Sequence, residues 1–201
     1  NTELSYKNII DAIKSHNPKK FVATIEFFPE EGKYHLDGHR ACGVVFEPEE
    51  TKNHNNICPK CGRKLTIGVL NRICELADRS IVKTEFSNNL HRAEGRIPFY
   101  YIVPLDEIIA KSLGVGIASQ KVKLEYENMI KIFGGEFKIL MEKNLEELSH
   151  EGVNPKILSG LVALRKGQVR FDPAGYDGEY GNMVFEDLEN DGKLAAQKSL
   201  F

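Results

Sequence analysis

His39 and Cys42 stand two residues apart, fifteen residues follow, and Cys58 and Cys61 repeat the two-residue spacing. Two intervening residues let one tight turn aim both side chains at a single point. Two such knuckles brought together supply the four nitrogen and sulfur donors of a tetrahedral Zn2+ site. The second knuckle reads Cys58-Pro-Lys-Cys-Gly62, and its proline and glycine are the turn chemistry that such a loop needs. Val45 stands where a second Cys-x2-Cys pair would have placed its thiolate, so His39 is the expected fourth ligand, with His35, Asp37 and His54 as alternatives. Without metal, residues 33–64 hold too few apolar side chains to sustain a core, and metal binding would supply about 10 kcal/mol or more of folding free energy. A structural zinc ribbon over 31–67 is therefore expected, with Zn2+ as cofactor.

The rest of the chain must position that ribbon. At 201 residues, 41% hydrophobic and 28% charged, it is long enough for one ordinary core, or a medium core plus a metal-held satellite. No apolar run approaches the ~20 residues that cross a bilayer and no signal-peptide pattern opens the chain, so no membrane partner and a cytoplasmic location are expected. A reducing compartment suits three cysteines in metal spacing, with Cys74 on a helical pattern read as a core thiol. The formal net charge is -2, but residues 186–201 carry four acids against two lysines, leaving 25 basic and 25 acidic residues in the body. Residues 59–103 hold eight basic against four acidic side chains, a local +4 that can meet nucleic acid or serve as a solvated face.

In chain order, a helix from Ser5 to His16 and a strand from Lys20 to Phe28, apolar enough to be buried on both faces, cannot make a domain alone. Since the chain opens at Asn1, they read as the end of a larger αβ protein. After the second knuckle, Lys64–Ile67 reads as a ribbon strand. Gly68 then opens a helix to Arg79 whose stripe of Leu70, Ile73, Cys74 and Ala77 is expected to be buried. Between Arg79 and Pro104, residues with little helical periodicity mix Lys83, Arg92 and Arg96 with Phe86, Phe99, Tyr100 and Tyr101. That mixture pairs phosphate neutralisation with base stacking, or else pins a loop to the core. Helices follow at 105–113, 119–133, 136–143, 145–150 and 154–166, marked by Ser119, Asn154-Pro155 and the glycines at their ends. Residues 168–185 read as a strand, a glycine-rich turn carrying Tyr176 and Tyr180, and a strand. Candidate DNA contacts are Arg63, Lys64, Arg92, Arg96, Tyr100, Tyr176 and Tyr180.

The segments TIEFFPEEGKYHLDGHRACG, ICPKCGRKLTIGVLNRICELADR, GRIPFYYIVPLDEIIAKSLGVG and PAGYDGEYG resemble the C-terminal part of the endonuclease Q family. The resemblance implies a PHP-type metal-dependent phosphoesterase domain followed by zinc-binding and helical domains, in a DNA-repair enzyme. Such enzymes nick 5′ of uracil, hypoxanthine, xanthine or an abasic site. It also implies an α+β fold divided into a PHP remnant (1–30), a zinc ribbon (31–67), a mostly helical domain with a C-terminal hairpin (68–185) and an acidic tail (186–201). No paired carboxylates, His-x-His or positioned nucleophile appear, so no catalytic residue is assigned; the catalytic divalent metals are expected upstream. The chain is then the part that grips damaged DNA. A non-catalytic zinc-ribbon adaptor for nucleic acid or protein is the alternative. Gln197 and Leu200 match the start of the peptide by which repair enzymes dock on the sliding clamp PCNA, although the aromatic positions of that peptide lie beyond Phe201.

Overall fold

The computed structural model describes residues 3–80, 83–87 and 89–186. In chain order these form α1 (Tyr6–Ser15), β1 (Thr24–Phe27), β2 (Asp37–His39), β3 (Val44–Phe46), α2 (Pro48–Asn53), α3 (Val69–Leu76), β4 (Glu85–Ser87), β5 (Leu90–Arg92) and β6 (Phe99–Ile102). They continue with α4 (Leu105–Leu113), α5 (Gln120–Phe133), α6 (Leu145–His150), α7 (Pro155–Arg165), β7 (Val169–Phe171) and β8 (Met183–Phe185). The mixture of helix and strand is an α+β architecture. Among the described residues no helix is long and apolar enough to cross a membrane. The chain divides into two compact units that do not follow its order: the described parts of Asn1–Phe27 with Ile81–Gly167, and those of Phe28–Ser80 with Gln168–Phe201.

The first unit holds the long helices. Ser119 accepts the Val122 N–H at the start of α5 and Gly134 ends it in a left-handed turn, while Asn154 accepts the Lys156 N–H with Pro155 at the first position of α7. These caps satisfy N–H groups that a helix end leaves without partners. α4 packs on α7 and on α5, burying Leu105, Ile108, Ile109, Val122, Met129, Ile157, Leu161 and Leu164. The helix expected over 136–143 is a π-turn at Lys138–Glu142. Arg165 reaches back from α7 and donates to the carbonyls of Ile139, Leu140 and Lys143 at 2.6, 3.0 and 2.5 Å. Those bonds satisfy carbonyls at the C-terminal end of the turn, where a helix leaves its last carbonyls without intrahelical partners.

The same unit carries a four-stranded sheet in the order β1-β6-β5-β4, with β1 parallel to β6 and the other pairs antiparallel. The stretch read as a long irregular connection thus contains three strands. The strand expected over Lys20–Phe28 shortens to β1 at the sheet edge, and its burial differs from the expectation. Ile25 is 46% exposed and Phe27 61%: the two share one face of the sheet edge, and α1 buries none of its own residues.

The second unit joins β2 and β3 with Asp37 opposite Phe46 and His39 opposite Val44. Residues 64–67 form only isolated bridges, Ile57 with Lys64 and Gly38 with Thr66. The α3 stripe is also a correction: Leu70 is half-buried, whereas Ile73, Cys74 and Ala77 are exposed, so Cys74 is not a core thiol. α3 instead docks through buried Asn71, whose amide donates to Asp37 Oδ2 at 2.5 Å, while the Gly68 N–H donates to Asp37 Oδ1 at 2.6 Å. The β7–β8 hairpin, with Val169 opposite Phe185, belongs to this unit, and the Phe171 ring lies 5.5 Å from that of Phe28.

Candidate metal centre

Each knuckle is built by a glycine in the left-handed region. Arg40–Cys42 form a single tight turn closed by the Gly43 N–H on the Arg40 carbonyl at 3.0 Å, with φ of 59° at Gly43. At the second, the Gly62 N–H donates to the Cys58 carbonyl (2.9 Å) and the Cys58 N–H to the Arg63 carbonyl (2.7 Å), with φ of 72° at Gly62. A side chain at either position would strain the loop. Val44, Cys58 and Leu65 form a small buried cluster beneath, flanked by Cys42 and Phe46.

These turns bring one donor atom each of His39, Cys42, Cys58 and Cys61 within 4.8 Å of one another. Cys61 Sγ lies 3.3 Å from His39 Nδ1. Two such donors on one tetrahedral Zn2+ stand about 3.5 Å apart, given Zn–S near 2.3 Å and Zn–N near 2.0 Å, so the set fits a metal such as zinc. Burial opposes charge on Cys58, but the N–H groups of Lys60 and Cys61 and the contacts with His39 and Cys61 outweigh it and bring the thiol down to about 6. Cys42 moves the other way, to about 11, through its hydrogen bond with Cys61, through burial and through its contact with Cys58. One thiolate forms readily and the next is resisted, a repulsion that a dication between them relieves. Lys60 donates from Nζ to the Cys42 carbonyl at 2.7 Å and ties one knuckle to the other.

The alternative fourth donors are placed differently. Asp37 is fully buried and spends both carboxylate oxygens on Gly68 and Asn71; the His54 ring stacks on Phe46 with centroids 4.7 Å apart; His35 is outside the cluster.

The residues read as DNA contacts fall in both units. In the second, Arg63 and Lys64 are exposed beside the knuckle, and Tyr180 is 66% exposed with the Lys33 ammonium 4.5 Å above its ring. Tyr176 is half-buried against Gly38, where an added Cβ would come within 2.5 Å of the tyrosine ring. In the first, Arg92 and Arg96 are exposed and Tyr100 is half-buried in β6. Gln197 and Leu200 lie outside the described residues. Sequence reasoning missed His91. It stacks on Phe99 at 4.9 Å and meets Phe86 and Tyr101 at 4.8 and 5.2 Å, a row of rings across β4, β5 and β6. Burial among them lowers its pKa, partly offset by Glu26. The alternation of Phe99 and Tyr101 was the available signal.

The class defined by this fold and site is an α+β chain in two units, one mostly helical and one carrying a four-donor nitrogen and sulfur cluster that could hold a metal such as zinc. Residues 104–168 match the family described as the MJ0043 C-terminal domain. Over 184 residues the chain is 36% identical to the protein MJ0043 of Methanocaldococcus jannaschii, covering 92% of this chain and 22% of that protein. It is 28% identical over 173 residues to YqxK of Bacillus subtilis, covering 86% and 38%. Among solved structures it resembles the lesion-specific endonuclease PfuEndoQ from Pyrococcus furiosus, with a TM-score of 0.75, 29% identity, and coverage of 92% of this chain and 43% of that one. It equally resembles an endonuclease Q in complex with a 27-mer duplex substrate carrying an abasic lesion at the active site, with a TM-score of 0.72 and 29% identity. The likeness to endonuclease Q read from the motifs thus holds in three dimensions for a C-terminal-like portion of that protein, and the chain spans under half the length of each relative.

Proposed function

We propose that this chain is the DNA-gripping part of an endonuclease Q-like repair nuclease, acting on duplexes with deaminated bases or abasic sites. The observation that carries the reading is the structural likeness over 92% of the chain to an endonuclease Q held on a lesion-bearing duplex. The four-donor cluster is a structural zinc ribbon, since all four positions are filled by protein side chains and none is left open for substrate. α1 and β1 belong to a PHP-type αβ domain: their exposed apolar side chains and the parallel pairing of β1 suit a larger sheet. Hydrolysis of the phosphodiester belongs to that domain, and Gln197 and Leu200 begin a clamp-docking peptide.

The test is fluorescence anisotropy of the purified chain with an abasic-site duplex across a salt series, with a nicking assay run in parallel. Salt-sensitive binding without nicking is expected. Arg92→Ala and Arg96→Ala should each flatten the slope of log affinity against log salt by about one, as lost phosphate contacts do. Absence of DNA binding at low salt would remove the reading, and nicking that depends on residues of this chain would move the active site into it.

A further inference from the structure

Asp177 lies in the turn between β7 and β8 and joins it to the metal-knuckle segment at two points. Its Oδ2 accepts the Arg40 N–H at 2.6 Å and its Oδ1 accepts the Thr66 hydroxyl at 2.6 Å. Arg40 stands between His39 and Cys42, whereas Thr66 follows the knuckle of Cys58 and Cys61. The two donors that Asp177 needs therefore come from the two different knuckles. They are in register because Gly38 and Thr66 exchange main-chain hydrogen bonds of 2.9 and 2.8 Å, beside a buried cluster of only Val44, Cys58 and Leu65. A core that small leaves much of the register to an ion bridging the knuckles.

The turn has a second support that does not involve the knuckles. Gly175 donates to the Glu30 carbonyl at 2.7 Å and Gly178 to the Lys33 carbonyl at 3.0 Å. Tyr180, 66% exposed beneath the Lys33 ammonium, is carried on this doubly held turn, and Glu179 pairs with Arg40 at 3.3 Å.

We propose that Asp177 is a positioning residue through which metal occupancy governs the turn that presents Tyr180 beside Lys33. With the ion in place, Arg40 and Thr66 form one receptor for both carboxylate oxygens and the turn is docked. With the ion removed, the knuckles part, the receptor is lost and the turn keeps its bonds to residues 30–36, which include the Leu36 N–H on the Gly175 carbonyl at 2.9 Å. The coupling is reciprocal, so a docked turn also strengthens metal retention by the same factor. This rests on the metal reading of the four-donor cluster.

The test is amide hydrogen exchange by mass spectrometry on the zinc-loaded chain, paired with zinc competition against a chelator. In Asp177→Ala at saturating zinc, the Arg40 amide and residues 175–179 should exchange about tenfold faster while the Cys58 amide stays protected, and zinc affinity should fall about tenfold, the size expected for losing two such hydrogen bonds. Thr66→Val should do the same in smaller measure and Thr66→Ser should restore both. Unchanged exchange at Arg40 and the turn in zinc-loaded Asp177→Ala overturns the proposal, as does faster exchange with unaltered zinc affinity. If Asp177→Ala does not fold, the two Thr66 variants decide by the same criteria. Failure of the unaltered chain to take up zinc is seen directly in its metal content and defeats the metal reading and the proposal together; normal uptake with no coupling defeats the proposal alone.

Discussion

Cys58 is 1% exposed between Val44 and Leu65, whereas Cys74 is exposed on α3, and the two thiols separate a metal role from a bystander. Cys58→Ser removes a donor from the centre of the cluster. Metal content should fall from about one ion per chain toward none, with loss of the knuckle structure. Cys74→Ser should keep the metal and change stability by no more than about 0.5 kcal/mol, since an exposed thiol leaves no cavity. Elemental analysis and a urea titration measure the two effects, and equal metal loss from both variants would refute the assignment. The cluster was legible because ligand spacing is a local property: two residues between donors specify a turn whatever the rest of the chain does. Asp37 was not legible. Its partners Gly68 and Asn71 lie 31 and 34 positions away, and nothing local distinguishes a buried carboxylate that starts a helix from one that binds metal.

At the level of elements, helices with explicit end signals were read closely. α4 ends at Leu113 before Gly114, α5 starts after Ser119, and α7 starts after Asn154, because caps and left-handed glycines act within a few residues. The π-turn at Lys138–Glu142 escaped the reading, since it is imposed by Arg165 from another helix. Burial lowers the pKa of this guanidinium, yet its three carbonyl partners keep the charge satisfied. Arg165→Ala strands those carbonyls beside buried Ile139 and Leu140, and a destabilisation of about 2–4 kcal/mol is expected. Arg165→Lys should recover only part of it, because an ammonium is a compact charge that does not span three carbonyls as the planar fork does. Chemical denaturation of the three proteins measures the order; a Lys variant as stable as the native chain would show that charge rather than geometry holds the turn. The strands were harder. β4, β5 and β6 are three or four residues each, and the row of Phe86, His91 and Phe99 exists only once β5 pairs with both neighbours.

At the scale of the whole chain, sequence order hides which segments share a core. Arg40 and Asp177 are 137 positions apart, yet the β7–β8 hairpin shares a compact unit with the knuckles rather than with the helices that precede it. This partition gives metal removal a specific consequence. Helices α4, α5 and α7, with 9, 14 and 11 residues, lie in the first unit around a buried set that includes Leu105, Ile109, Met129, Ile157 and Leu161, and the four metal donors all belong to the second unit. Among the described residues, the α-helices of the second unit are the short α2 and α3, and its knuckle cluster has three buried side chains. A chelator should therefore abolish the order of the knuckle segment while leaving most of the far-ultraviolet helical signal, and the remaining signal should still melt as one cooperative transition. Circular dichroism during stepwise chelation, followed by a thermal scan with and without zinc, reads both. Collapse of the helical signal in parallel with metal loss would mean that the two units fold as one and that the metal stabilises both.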